Sequence, residues 1–143
     1  MFWVVVAVSS VLILASIVKL LSSGKDGKLD SPSAEWPLTS VEVVNDRLDL
    51  GPVPSDTVVF HEVLLVNSGT DSLRVEFVDP DCNCTGYTLT PCSVAATGDS
   101  LRLTLEVDMH KKQIGKFMLN TVVGMNTEKH LHRIVILGDV IKQ

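Results

Sequence analysis

The chain has 143 residues, 45% of them hydrophobic, 20% charged and 5% aromatic, with a formal net charge of −5. That length suits one ordinary core, and the apolar share excludes a disordered, coiled-coil or collagen-like chain. All 17 acidic residues but only 11 of the 12 basic ones follow Leu21, which leaves that part at −6 and argues against a nucleic-acid partner.

Phe2 to Leu21 holds 16 apolar residues in 20, with Lys19 as the one charge. As a helix rising about 1.5 Å per residue it would be roughly 30 Å long, the thickness of a bilayer's hydrocarbon core. A cleaved signal peptide calls for a basic start, a shorter apolar run and small residues at a cleavage site. No Lys or Arg precedes this run and no A-x-A site ends it. Residues 1–21 are therefore expected to be a single-pass transmembrane anchor, with a signal peptide as the alternative. Lys19, Lys25 and Lys28 behind the span would by themselves favour a cytoplasmic C-terminal side.

Residues 22–39, SSGKDGKLDSPSAEWPLT, collect Gly, Ser, Pro and charges without apolar periodicity and read as a stalk. Trp36 is the large aromatic in it, suited either to dock on the following domain or to sit at a lipid interface.

From Ser40 to Gln143 the period is two. Leu101, Leu103, Leu105 and Val107 alternate with Arg102, Thr104, Glu106 and Asp108, and Leu73, Val75 and Phe77 alternate with Arg74 and Glu76, as in half-buried antiparallel strands. Further strands are expected at Val41 to Val44, Arg47 to Leu50, Thr57 to Asn67, Thr85 to Leu89, Ile114 to Val123 and His130 to Ile141. Turn signals separate them at Gly51-Pro52, Asn67-Ser68-Gly69, Asp79-Pro80-Asp81, Thr97-Gly98-Asp99 and Gly124-Met125-Asn126. About seven short strands and no periodic helix after residue 21 predict an all-β, immunoglobulin-like antiparallel sandwich over 40–143. Parallel α/β folds and their nucleotide sites are excluded.

Two strands are apolar on both faces. Phe60, Leu64 and Val66 oppose Val59, Val63 and Leu65, while Val135 and Leu137 oppose Ile134 and Ile136. Such strands are either covered by other parts of the chain or offer a patch to a protein partner, and Phe60, Leu64, Val66, Val135 and Leu137 are the candidate patch.

Cys82 and Cys84 are spaced i, i+2, so a bridge between them would be strained, whereas Cys92 could meet one of them across a turn. The three sulfurs have four possible uses: small buried hydrophobes, a disulfide, a redox pair, or ligands for a soft ion such as Cu(I) or Zn(II). A C-x-C alone lacks the second ligand pair of usual zinc sites, so no cofactor is expected. His130 and His132 repeat the i, i+2 spacing at a strand start, where hydrogen-bonded surface histidines are the ordinary outcome. His61 and His110 stand apart from any cysteine in sequence, and no motif joins a Cys/His pair to a third orienting group, so no enzymatic activity is expected. His110, Lys111, Lys112 and Lys116 form the one basic cluster, read as a solvated hairpin tip or as a contact for anionic groups.

In Asp49-Leu50-Gly51, Val66-Asn67-Ser68-Gly69-Thr70-Asp71-Ser72-Leu73, Asp81-Cys82-Asn83-Cys84-Thr85, Gly115-Lys116-Phe117, Asn126 and Leu137-Gly138-Asp139-Val140, the order and spacing resemble those of the bacterial domain of unknown function 1573. The resemblance spans about Leu48 to Val140. It departs from the family pattern at Asp81 and Asn83, where Ser and Gly are usual, and at Ala96-Thr97, where Pro-Gly is usual. It implies an immunoglobulin-like fold related to major sperm protein and hydin-type domains, an envelope-facing or exported bacterial protein, and no established catalysis. The resulting expectation is a non-catalytic binding or assembly module anchored in the bacterial inner membrane through residues 2–21. Its domain would lie in the periplasm, with protein partners and no small-molecule substrate. The alternatives are metal or thiol handling through Cys82, Cys84 and Cys92, and a structural subunit of a larger membrane complex.

Overall fold

The computed structural model describes residues 36–142; the expected anchor at 1–21 and most of the stalk lie outside them. Nine strands follow in order: β1 Val41–Val44, β2 Arg47–Pro54, β3 Val58–Asn67, β4 Leu73–Pro80, β5 Thr85–Thr90, β6 Val94–Ala95, β7 Ser100–Asp108, β8 Gly115–Met125 and β9 Leu131–Ile141. A 3-10 turn, Met109–Lys111, links β7 to β8. The strands form a small sheet ordered β1-β3-β7-β5 and a large sheet ordered β2-β9-β8-β4-β6. From β1 to β8 each connection crosses from one sheet to the other; β8 and β9 alone are consecutive neighbours in one sheet.

The alternation seen in sequence becomes the layering. Val63 and Leu65 of β3 and Leu101, Leu103, Leu105 and Val107 of β7 point inward and are fully buried. They meet Val75, Leu119, Val123, Met125, Ile134, Ile136 and Val140 from the large sheet. Burying a side chain of this size stabilises by roughly 1.5–3 kcal/mol.

Three expectations change. The sandwich is not antiparallel throughout, because β2 pairs parallel with β9. The chain leaves β1 for the other sheet and reaches that sheet's edge running the same way as β9. Gly51-Pro52 is not a turn between strands but a bulge within β2, where the register steps from Asp49 opposite Leu137 to Pro52 opposite Asp139. Gly51 holds φ of 61° there and its amide donates to Asp49 Oδ1 at 3.0 Å, a conformation glycine adopts without steric cost. β6 has two residues, too few for any periodic signal.

The last stalk residues belong to the sandwich. Thr39 is buried and its amide donates to the Asn126 carbonyl at 3.0 Å. The Arg74 guanidinium sits 5.0 Å from the Trp36 ring centroid, so Trp36 docks on the domain.

Candidate functional site

The β2 bulge shapes the outer face of the large sheet. By register, Leu137 of β9 lies between Met118 of β8 and Asp49 of β2, and Asp139 lies between Lys116 and Pro52. These residues, with Gly51, Phe117 and Gly138, line an open groove of about 710 Å³. Met118 is 60% exposed. Gly138 lets the strands approach here, since a Cβ on it would fall 2.7 Å from the Phe117 ring and 3.3 Å from the Gly51 carbonyl. Lys112 Nζ lies 5.3 Å from the Phe117 ring centroid. The groove thus has an apolar floor and a rim of both charges.

The candidate patch is divided between the two outer faces of the sandwich. Val135 and Leu137 are half-buried on the large sheet, alongside the groove. Phe60, Leu64 and Val66 lie on the small sheet's outer face. There Val44 stands opposite Leu64 and Glu42 opposite Val66, and both Leu64 and Val66 are half-buried. Phe60 is 63% exposed, but Glu62 and Arg102, 3.7 Å apart, separate it from Leu64. Alternation marked every one of these residues as outward-facing, but it did not show that they belong to different sheets. Met118 is absent from the candidate patch, and Pro52 and Phe117 enter the sequence reading only as a turn signal and a motif position, although Phe117-Met118-Leu119 carries the same two-faced signal.

Of the uses expected for the cysteines the structure shows a disulfide, made within the Cys82/Cys84 pair and without Cys92. Cys82 and Cys84 form a disulfide, with Cα atoms 5.1 Å apart, where the chain crosses from β4 to β5. The loop folds back on itself, the Thr85 amide donating to the Cys82 carbonyl at 3.1 Å. Cys92 is free and exposed. It follows β5, so the length of that strand, about 3.3 Å per residue, separates it from Cys84. It therefore pairs with neither sulfur and cannot complete a ligand set with them. Among the described residues no three His, Cys, Asp or Glu side chains converge as metal ligands.

The histidines have separate partners. His130 Nδ1 lies 2.8 Å from the Met125 carbonyl and its Nε2 3.5 Å from Glu76, while His132 Nε2 lies 3.1 Å from Thr127 Oγ1. Burial, followed by the charge of Lys129, lowers the His132 pKa from its usual 6.5. His61 is buried with Nε2 2.8 Å from the Asn45 carbonyl. In the basic cluster, His110 and Lys111 contact the Asp108 carboxylate at 2.9 and 3.5 Å, and the His110 hydrogen bond lowers the Asp108 pKa. This cluster lies on a crossing between sheets, not at a hairpin tip.

No curated protein is matched by this sequence. Solved structures of similar fold include a protein of unknown function from Porphyromonas gingivalis, at 17% identity and TM-score 0.64, covering 78% of this chain and 51% of that one. The ASH/PapD-like domain 7 of human CEP192 matches at 15% identity and TM-score 0.56, covering 75% and 89%. The secreted serine protease VesC from Vibrio cholerae matches at 14% identity and TM-score 0.55, covering 71% and 23%. At such identities the likeness is one of fold, and this chain spans about half of the Porphyromonas protein. A family model described as "Protein of unknown function (DUF1573)" matches residues 41–140, from the first residue of β1 to the penultimate residue of β9. The chain therefore belongs to the DUF1573 family.

Proposed function

We propose that this chain is a non-catalytic, immunoglobulin-like binding module, tethered to a bacterial inner membrane by residues 2–21 and docking a protein partner in the periplasm. The observation that carries the reading is the groove on the outer face of the large sheet. Met118 and Leu137 sit side by side there, flanked by Pro52 and by Asp49, Lys116 and Asp139. An apolar centre with a charged rim is the anatomy of a protein contact, in which the centre supplies affinity and the rim orientation. The expected occupant is a protein segment that lays an apolar anchor over Leu137 and a basic group against Asp49 and Asp139. The Phe60 face is the weaker candidate, because the Glu62–Arg102 pair divides it.

The test is crosslinking in intact cells followed by purification of the tagged 143-residue chain in mild detergent. Leu137→Asp and Met118→Asp should each lose one specific crosslinked species that Phe60→Asp retains. If all three retain it, the groove assignment fails. If a stoichiometric partner survives all three and is lost only when the N-terminal segment is exchanged, the chain is instead a subunit held through the membrane. Protease protection before and after opening the outer membrane tests the periplasmic placement.

A further inference from the structure

The outermost strands differ in how they guard their free edges. An edge strand presents unpaired N–H and C=O groups, and folded proteins blunt it with charge, proline, a bulge or brevity. In the large sheet β2 carries Pro52, Pro54 and the Gly51 bulge, and β6 is two residues long. In the small sheet β1 has four residues and Glu42. β5, Thr-Gly-Tyr-Thr-Leu-Thr, has six residues, neither charge nor proline, and an unbroken register with β7.

The open groups of β5 can be assigned. The Asp108 amide donates to the Cys84 carbonyl at 2.9 Å, and hydrogen-bonded pairs alternate along an antiparallel ladder. Gly86, Thr88 and Thr90 therefore bond toward Glu106, Thr104 and Arg102, and Thr85, Tyr87 and Leu89 turn their backbone groups outward. The Thr85 amide is taken by the Cys82 carbonyl. The N–H and C=O of Tyr87 and Leu89 and the C=O of Thr85 stay open; no turn, loop or side-chain bond among the described residues reaches them. The side chains of Tyr87 and Leu89 share the inward face of β7's Leu105 and Leu103, at a cavity of about 270 Å³ also lined by Val75, Phe77 and Val78. That is below the roughly 300–1,000 Å³ of a small-molecule site, and Tyr87 is still 49% exposed.

We propose that β5 pairs antiparallel with β5 of a second copy of this chain, joining two four-stranded sheets into one of eight strands. The strand is self-complementary about Tyr87. A two-fold axis there sets Tyr87 opposite Tyr87, Thr85 opposite Leu89 and Gly86 opposite Thr88, so inward-facing residues meet inward-facing ones. The open groups of the two Tyr87 residues bond each other, and each Leu89 amide donates to the other copy's Thr85 carbonyl. The absence of charge on β5 means that no like charges oppose each other in this pairing. A single strand pair is smaller than the about 1,200 Å² of a stable soluble interface, so the dimer forms at high local concentration. This surface shares no residue with the groove, and it stands or falls independently of that reading.

The test introduces Tyr87→Cys or Thr88→Cys into a Cys92→Ser background of the 143-residue chain, concentrated in mild detergent and oxidised. Hydrogen-bonded partners lie about 5.5 Å apart at Cα, inside the roughly 4.4–6.8 Å reach of a disulfide, whereas Thr88 is offset from its own counterpart. A dimer band is expected for Tyr87→Cys and not for Thr88→Cys. Adding Leu89→Pro should abolish it, since that amide is not used within the sandwich and proline is tolerated at such an edge position. Should Leu89→Pro fail to fold, as judged by loss of its cooperative melt, the contrast between the two cysteines decides alone. Equal bands from both cysteines, or none from either, would overturn the proposal. So would a Tyr87 amide that is protected from hydrogen exchange only when a foreign extract is added.

Discussion

Thr39 is held against Asn67, its hydroxyl 3.0 Å from the amide oxygen in a buried hydrogen bond. The same Asn67 side chain donates to the carbonyls of Asp71 at 2.8 Å and Ala95 at 3.1 Å, and accepts from the Gly69 amide at 3.2 Å. One side chain thus ties the strap before β1, the turn after β3 and strand β6. Asn67→Ala leaves the Ala95 carbonyl and the Gly69 amide short of this partner, while the Thr39 hydroxyl keeps the Asp71 carbonyl at 2.9 Å, and should cost about 1–3 kcal/mol in urea unfolding. A loss below about 1 kcal/mol would mean that water replaces the amide.

Asn126 plays the matching part on the large sheet. Its oxygen accepts from the Arg74 amide at 2.6 Å, and its nitrogen donates to the carbonyls of Pro37 at 2.8 Å and Ser72 at 2.9 Å. Asn126→Ala should therefore release the strap at Pro37 and expose it to limited proteolysis, with new cleavage between Trp36 and Val41. A digestion pattern identical to that of the parent chain would contradict the assignment.

Phe77 lies across Gly124, paired with it in register. A Cβ on Gly124 would meet the ring, with Cδ1 and Cζ each 2.7 Å away. The ring is partly exposed and can swing outward, so Gly124→Val should cost roughly 1–3 kcal/mol, and Phe77→Ala in the same chain should recover most of it. Additive losses in the double-mutant cycle would show that the two residues do not interact.

The fold was legible because burial imposes its own period. The Leu101 to Val107 alternation specified β7 and its inner face before any partner strand was known. Strand pairing was not legible in the same way, because parity says which side chains share a face and not which sheet owns the strand. Val135 and Phe60 carry the same two-faced signal from opposite outer faces. Gly51-Pro52 reads as a turn from its residue types, and only the parallel partner β9 turns it into a bulge. The asparagines at 67 and 126 were visible as motif positions, but the hydrogen bonds by which they tie separate elements together join residues 28 to 89 apart in sequence, a distance no local pattern spans.

The thiol chemistry gives a direct count. With Cys82 and Cys84 bridged, the oxidised chain unfolded in denaturant should titrate one thiol, that of Cys92, and three after reduction. Cys92→Ser should leave stability within about 0.5 kcal/mol, because the side chain is exposed. Three thiols without reductant would return Cys82 and Cys84 to the metal-ligand reading.

His132 sets the response to mild acid. Its pKa is lowered in the folded chain by burial and by Lys129, so below about 6.5 the unfolded chain binds a proton that the folded chain resists. The unfolded state then holds more protons, and stability declines as pH falls from 6.5 until the folded-state pKa is passed, where the decline levels off. Asp108 works in a lower window: its pKa is lowered from 3.8, so its contribution is intact above that value and is lost only as pH falls further. Melting temperatures measured between about pH 7.5 and pH 5 should therefore fall in the parent chain and fall less in His132→Gln, with both declining together below the carboxylate range. Equal slopes in the two chains over the upper window would show that His132 does not govern it.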